Sequence, residues 1–149
     1  WLNEKGDSSQ HDLSKVQWMP EFQDQLHFVY LGAKQDSRKE IARYLDKRRA
    51  TPDIVARVSE ITKELLHSNS IEEFNALIQE HERYLSTVLS LSPVKQDRFA
   101  DFMGEIKSLG AWGGDFVLAT GESDYVRSYF NAKGLDTVIP FDEMILRKK

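Results

Sequence analysis

The sequence predicts an α+β fold, a small sheet with helices packed mainly on one of its faces. Three observations lead there. The first is the order of elements along the chain: strand, strand, several helices, strand, helix, strand. The second is a series of helix starts written in capping chemistry, at Asp36-Ser37, Thr51-Pro52, Ser70-Ile71-Glu72-Glu73 and Ser92-Pro93. The third is the change of apolar period after Gly110, where helical spacing gives way to short apolar runs.

Asn3 to Asp12 holds Gly6, Asp7, Ser8 and Ser9, which is turn chemistry and predicts a loop. Leu13 to Met19 carries Val16 and Trp18 at period two and is stopped by Pro20, as an edge strand would be. Leu26 to Leu31 is aromatic, β-branched and almost continuously apolar, the pattern of a strand covered on both sides.

Helices are predicted next. Ser37 to Arg49 places Ile41, Ala42, Tyr44 and Leu45 on one side. From Pro52, the residues Ile54, Val55, Val58, Ile61, Leu65 and Leu66 trace one face. A third helix runs from the Ser70 capping box to near Ser90, with Phe74, Leu77, Ile78, His81, Leu85, Val88 and Leu89 as its stripe. Ser92-Pro93 opens a fourth, ending near Gly110, whose buried face is Phe99, Phe102, Met103 and Ile106. Phe116 to Ala119 is then a strand, Ser123 to Ala132 a helix with Val126, Tyr129 and Phe130 inward and Gly134 past its end, and Thr137 to Phe141 the last strand.

Composition bounds the function. The 149 residues suit one domain, and 40% apolar with 30% charged residues is ordinary globular chemistry, not a collagenous or disordered chain. Twenty Lys plus Arg against 24 Asp plus Glu leave a net charge of −4, which argues against nucleic acid as a partner. An RNA-binding sheet would also need an aromatic motif that Gly113-Gly114-Asp115-Phe116 does not supply. The absence of Cys excludes disulfides and thiolate sites. No apolar stretch approaches the ~20 residues of a membrane span, so a cytoplasmic protein without a membrane partner is expected. Because the chain opens on Trp1 and not on Met, it is expected to be a piece of a longer protein.

Two stretches stand out as candidate sites. Gly110-Ala111-Trp112-Gly113-Gly114-Asp115 concentrates glycine, which permits positive φ and close approach of main chain to another group. It lies between a predicted helix and a strand, the reverse of a dinucleotide or P-loop fingerprint, so neither motif is supported. Gly32 to Lys39 follows the strongest strand and opens a helix; Lys34, Arg38 and Lys39 beside free helix N–H groups would suit an anion, or simply be solvated. His11, His27, His67 and His81 show no metal-ligand spacing, and no metal site is expected. No Gly-x-Ser-x-Gly elbow occurs, and Glu122 and Asp124 sit at a helix start where the dipole favours negative charge.

Taken together, the strand, the Ser-Arg loop with its helix, three further helices and Ile-Lys-Ser-Leu-Gly-Ala-Trp-Gly-Gly-Asp-Phe-Val-Leu-Ala resemble the C-terminal half of a GHMP-type small-molecule kinase. That superfamily includes galactose, homoserine, mevalonate and phosphomevalonate kinases. Gly110 to Asp115 looks like a variant of its third, glycine-rich motif, with Trp112 and Asp115 where the family usually keeps glycine; Trp112 would then wall the pocket. Ser37 and Arg38 match the family's Ser/Thr-Arg near the substrate.

The resemblance implies an antiparallel sheet of ferredoxin-like type. It assigns residues 1–25 to a lead-in segment and 26–149 to the kinase C-terminal domain. It implies phosphoryl transfer from ATP, with Mg²⁺, to a small metabolite. Gly110, Ala111, Gly113 and Gly114 would brace the phosphate loop, and Lys34, Ser37, Arg38, Trp112 and Asp115 would be the substrate-pocket candidates. The family's Gly-Leu-Gly-Ser-Ser-type phosphate loop, which lies in the N-terminal half with the catalytic groups, does not occur in these 149 residues. The isolated chain is therefore expected to be inactive, its partner being the N-terminal kinase domain of the same parent. A surface left uncovered by that domain would be apolar and favour homodimers. A stand-alone ferredoxin-like ligand-binding or regulatory module is the rival reading.

Overall fold

A computed structural model describes residues 16–32, 38, 42, 50–110, 112 and 115–145. After a 3-10 turn at Gln23–Gln25 come β1 (Leu26–Tyr30), α1 (Pro52–His67), α2 (Ile71–Leu89), α3 (Val94–Arg98), β2 (Ile106–Ser108), β3 (Phe116–Thr120), α4 (Ser123–Ala132), β4 (Val138–Pro140) and α5 (Phe141–Met144). The four strands form one sheet in the order β2-β3-β1-β4, with every neighbouring pair antiparallel. The fold is α+β with a small antiparallel sheet, as predicted.

Local chemistry explains the long helices. Thr51 caps α1 by accepting the Ile54 N–H at 3.3 Å, and Pro52 fills the first helical position, where its missing N–H costs nothing. Ser70 Oγ accepts the Glu73 N–H at 3.2 Å while the Glu73 carboxylate reaches back to the Asn69 N–H at 3.0 Å, a capping box displaced by one residue. The two helices are clamped by Arg57, which grips both carboxylate oxygens of Glu80 at 2.8 Å. At the end of α4, Gly134 takes φ +74 and the Leu135 N–H returns to the Phe130 carbonyl, a Schellman stop whose Leu135 side chain folds onto the core.

β1 alternates in register. Leu26 and Phe28 point to one face, with Leu118, Phe74 and Ile78; Val29 and Leu31 point to the other, with Val117, Ala119, Val126 and Phe130. The long helices α1 and α2 lie on the first side, in keeping with helices mainly on one face. The second side is sealed by α4, α3 and the aromatic residues Phe99 and Phe102.

Two predicted elements are corrected. The helix expected from Ser92 to Gly110 ends at Arg98; a turn follows, and Ile106 to Ser108 is a strand. Phe99, Phe102 and Ile106 are buried as expected, but Met103 is 81% exposed. The reason is Gly104, whose backbone presses so closely on β3 that a Cβ there would stand 1.7 Å from the Thr120 carbonyl oxygen. That contact is with another strand and leaves no room for a helix surface. The edge strand expected at Leu13 to Met19 is not formed over residues 16–19, its first three residues lying outside the described ones. Instead Trp18 stacks on Phe74 at 5.5 Å and, with Phe22, joins the core of the α2 side. The helix expected over Ser37 to Arg49 falls largely outside the described residues, of which Arg38 and Ala42 are helical.

Candidate functional site

The two stretches singled out in the sequence leave the same end of the sheet. β1 runs out there through Leu31 and Gly32, β2 through Leu109 and Gly110, and β3 begins there at Phe116. The Leu31 N–H donates to the Asp115 carbonyl at 2.8 Å, and the Leu109 N–H to the Phe116 carbonyl at 3.2 Å. The chain thus leaves β2 and re-enters β3 across one residue pair, and Leu31, the residue before the polar stretch, is hydrogen-bonded to the last residue of the glycine-rich turn.

Backbone conformation accounts for the glycine at the turn's first position. Gly110 sits at φ +65, and a Cβ there would touch nothing, so it is the dihedral alone that calls for glycine. Trp112 takes φ +38, unusual for a bulky residue, and its side chain explains how this is held. The ring is buried and its Nε1–H donates to the Ser92 carbonyl at 3.3 Å, tying the turn to the connection between α2 and α3. Asp115 is half-buried, and Arg38 stands in a helical position after the polar loop. Lys34, Ser37, Ala111, Gly113 and Gly114 lie outside the described residues. Of the groups at this end, Tyr30 and Phe116 meet ring to ring at 5.2 Å on the α2 side, with Tyr30 partly exposed.

A second cluster was not anticipated. Asn75, Gln79 and Glu82 follow one another along α2 and meet the β2 edge of the sheet. Thr120 Oγ1 donates to Asn75 Oδ1 at 2.7 Å and accepts the Glu105 N–H at 2.8 Å. Glu105 takes Gln79 at 2.6 Å and Lys95 at 2.8 Å on a single oxygen. Glu82 accepts the Ser108 N–H at 3.1 Å and pairs with Lys107 at 3.6 Å. Burial pushes the Lys107 ammonium below the usual lysine range, against the opposing pull of Glu82. The signal was present in the sequence as a polar i, i+4, i+7 row beside the apolar stripe, a spacing that puts all three residues on one helix face. Beside this seam opens a cleft of about 610 Å³, lined among others by Gln79, Glu82, Arg83, Lys95 and Glu105. Gly32, Arg38, Gly110, Trp112 and Asp115, the described residues of the two sequence stretches, do not line it.

His27 is fully buried on the opposite face, its Nε2 3.2 Å from Ser123 Oγ at the start of α4. Desolvation, followed by the charge of Arg127, lowers its pKa, with Asp24 opposing. A serine beside a histidine has the parts of a nucleophile and base, but His27 Nδ1 is buried without a hydrogen-bond partner, so no carboxylate orients the ring. The pair fastens β1 to α4. His81 is buried at the edge of the α2 stripe, as the sequence indicated.

Among the described residues no three His, Asp or Glu side chains converge closely enough to hold a metal ion, and no helix is long and apolar enough to cross a membrane. Comparison with protein-family models, with curated proteins and with solved structures finds no match to this chain.

Proposed function

We propose that this chain is the substrate-side domain of an ATP-dependent small-molecule kinase of the GHMP type. The observation that carries the reading is the Leu31–Asp115 hydrogen bond, which ties the residue between β1 and the Ser-Arg stretch to the last residue of the glycine-rich turn at one end of the sheet. The antiparallel sheet and the order of elements around it support the same reading.

Phosphoryl transfer asks little covalent chemistry of a protein; it asks for positioning and for charge around the transferring group. In this reading Lys34, Ser37, Arg38 and Asp115 face the acceptor metabolite, and Gly110, Ala111, Gly113 and Gly114 brace the phosphate loop contributed by the N-terminal kinase domain of the same protein. Trp112 acts behind the turn, holding it to Ser92. In this reading ATP and its Mg²⁺ are held mainly by the N-terminal half, which carries the family's phosphate loop.

The test is ADP release with a panel of small hydroxyl acceptors, ATP and Mg²⁺. The 149-residue chain alone should not turn over. The same chain preceded by the sequence that its gene encodes upstream of Trp1 should phosphorylate at least one acceptor. Gly110→Val in that longer protein should lower kcat/KM by about 100-fold, the scale of a misplaced positioning element. Robust turnover by the chain alone, or none by the longer protein with any acceptor, would overturn the proposal.

The cleft beside α2 supports a second reading, a stand-alone module that binds a small ligand, since its volume falls in the range of small-molecule sites. Calorimetric binding of a metabolite by the chain alone, abolished by Gln79→Ala and untouched by Gly110→Val, would favour it.

A further inference from the structure

β2 is a free edge of the sheet, and its register with β3 fixes which of its peptide groups face outward. The Thr120 N–H donates to the Glu105 carbonyl at 2.9 Å and the Leu109 N–H to the Phe116 carbonyl, so the odd-numbered residues carry the ladder. Ile106 and Ser108 therefore turn their N–H and C=O away from β3. Side chains take both outward groups of Ser108: its N–H donates to Glu82 Oε2 at 3.1 Å, and its carbonyl accepts from Lys107 Nζ at 3.4 Å. No described residue takes either group of Ile106, which borders the cleft beside α2. Ile106 is 1% exposed, and a main-chain donor and acceptor so enclosed nearly always have partners. The cleft is the side from which partners can reach them.

Two charged groups border the same cleft with capacity to spare. Glu105 accepts Gln79 and Lys95 on Oε1, while its Oε2 has no partner and is not enclosed. Arg83 lies one turn beyond Gln79 on α2; its guanidinium rests over the Tyr84 ring at 5.0 Å and forms no ion pair among the described residues. The other charged groups of the lining are engaged, Lys95 with Glu105 at 2.8 Å and Glu82 with Lys107 at 3.6 Å. Glu82 and Glu105 balance Arg83 and Lys95. A ligand of net charge would leave one of them unmatched, and a zwitterion would not.

An α-amino acid supplies the complement. In an extended strand the N–H and C=O of one residue stand side by side, and an antiparallel neighbour answers them with an acceptor and a donor from a single residue. The carboxylate and ammonium of a free amino acid hold the same relation. The ammonium, with three donors, can serve the Ile106 carbonyl and Glu105 Oε2 together. The carboxylate can accept from the Ile106 N–H and from the Arg83 guanidinium. Ser86, Thr87, Pro93 and Gln96, which line the rest of the opening, are uncharged and suit a neutral side chain.

We propose that this cleft binds a free α-amino acid of neutral side chain, with Ile106, Glu105 and Arg83 as its head-group site. The proposal rests on the second reading above, a ligand in this cleft, and is independent of the kinase reading, whose candidate residues lie elsewhere.

The test is a ¹⁵N-resolved NMR titration of the 149-residue chain with each neutral amino acid in turn, followed by calorimetry on those that bind. At least one should shift the Glu105 and Ile106 amides. Its amide and its N-acetyl derivative, each lacking one of the two charges, should bind about tenfold or more weaker, the scale of one charged hydrogen bond. Arg83→Gln has no ion pair to lose in the fold. It should weaken the free amino acid by about tenfold and leave the affinity of the amide derivative unchanged. Three results overturn the proposal: an Ile106 amide that responds to none of the amino acids, derivatives that bind as tightly as the parent, or undiminished affinity in Arg83→Gln. A metabolite of another class that shifts the same amides, where no amino acid does, would overturn the amino-acid site and leave the ligand-module reading standing. None of these readouts needs ATP or a phosphoryl acceptor.

Discussion

On the α4 face of the sheet, Val29, Ile106, Val117 and Ala119 meet Phe99, Phe102, Val126 and Phe130 in a contact made almost wholly of carbon. On the β2 side of the other face, Asn75, Gln79 and Glu82 meet Thr120, Glu105, Lys107 and the Ser108 peptide in a chain of hydrogen bonds and ion pairs. Burying one large apolar side chain contributes about 1.5–3 kcal/mol and is indifferent to direction. A hydrogen bond contributes only about 0.5–1.5 kcal/mol net, but it demands a partner at one place. The dry face therefore supplies most of the free energy that holds β2 and β3 in the fold. The wet seam decides where the short edge strand sits along α2, and with it the start of the glycine-rich turn.

Single truncations at the centre of each region would test this contrast first. Phe130 is fully buried and packs edge-on against Phe99 at 5.2 Å, so Phe130→Ala should cost about 3–5 kcal/mol in urea unfolding. Glu82→Ala should cost a comparable amount, about 3–5 kcal/mol, for a different reason: it strands the buried Lys107 charge and the Ser108 N–H. The two regions separate in the double variant. Replacing Glu82 and Lys107 together by Leu and Met should recover most of the loss, because no charge is then left unpaired. If the double variant is as unstable as Glu82→Ala, the seam is not acting through its ion pair.

A smaller effect is expected where the two regions join. Gly104→Ala would drive a Cβ into the Thr120 carbonyl, which is backbone and has little freedom to move. A loss at or above the top of the about 1–3 kcal/mol range of overpacking should follow, visible as a lowered Tm. Full stability in this variant would mean that the 101–104 turn can move away from β3.

The smallest effect tests the dry face through pH. The folded-state pKa of His27 is lowered by burial, while the unfolded chain protonates near 6.5. Below that pH the unfolded state binds a proton that the folded state refuses. The contribution of His27 is therefore undiminished above pH 6.5 and is lost as pH falls, with a slope of up to about 1.4 kcal/mol per pH unit. His27→Gln should flatten the stability profile between pH 6.5 and 5; an unchanged slope would show that the acid sensitivity lies elsewhere.

Much of the fold was legible because its signals are local. Thr51-Pro52 and Ser70 to Glu73 start helices with side chains that reach their own backbone, and both helices begin where those residues put them. Leu26 to Tyr30 and Phe116 to Thr120 form the central strand pair that their apolar runs suggested. The segment from Phe99 to Ser108 was misread because its apolar residues recur at helical spacing, while the contact that forbids a helix there, Gly104 against Thr120, joins residues far apart in the chain. The polar seam was passed over because Asn75, Gln79 and Glu82 look like a solvated helix face until β2 is laid against them. At the candidate site, the glycine-rich turn could be picked out from composition, and Trp112 could be noted as a departure from it. That the Trp112 ring turns inward to Ser92 depends on where the α2–α3 connection runs.

By itself the sequence determined the fold class, the central strands and the two long helices, since capping groups and apolar periods act over a few residues. Only the tertiary structure decided that β2 exists and is the sheet's edge, that Glu82 and Lys107 close that edge, and that the loop after β1 is bonded to the turn before β3. Those outcomes rest on hydrogen bonds and steric contacts between distant segments, and their energies come into being only when the segments are brought together.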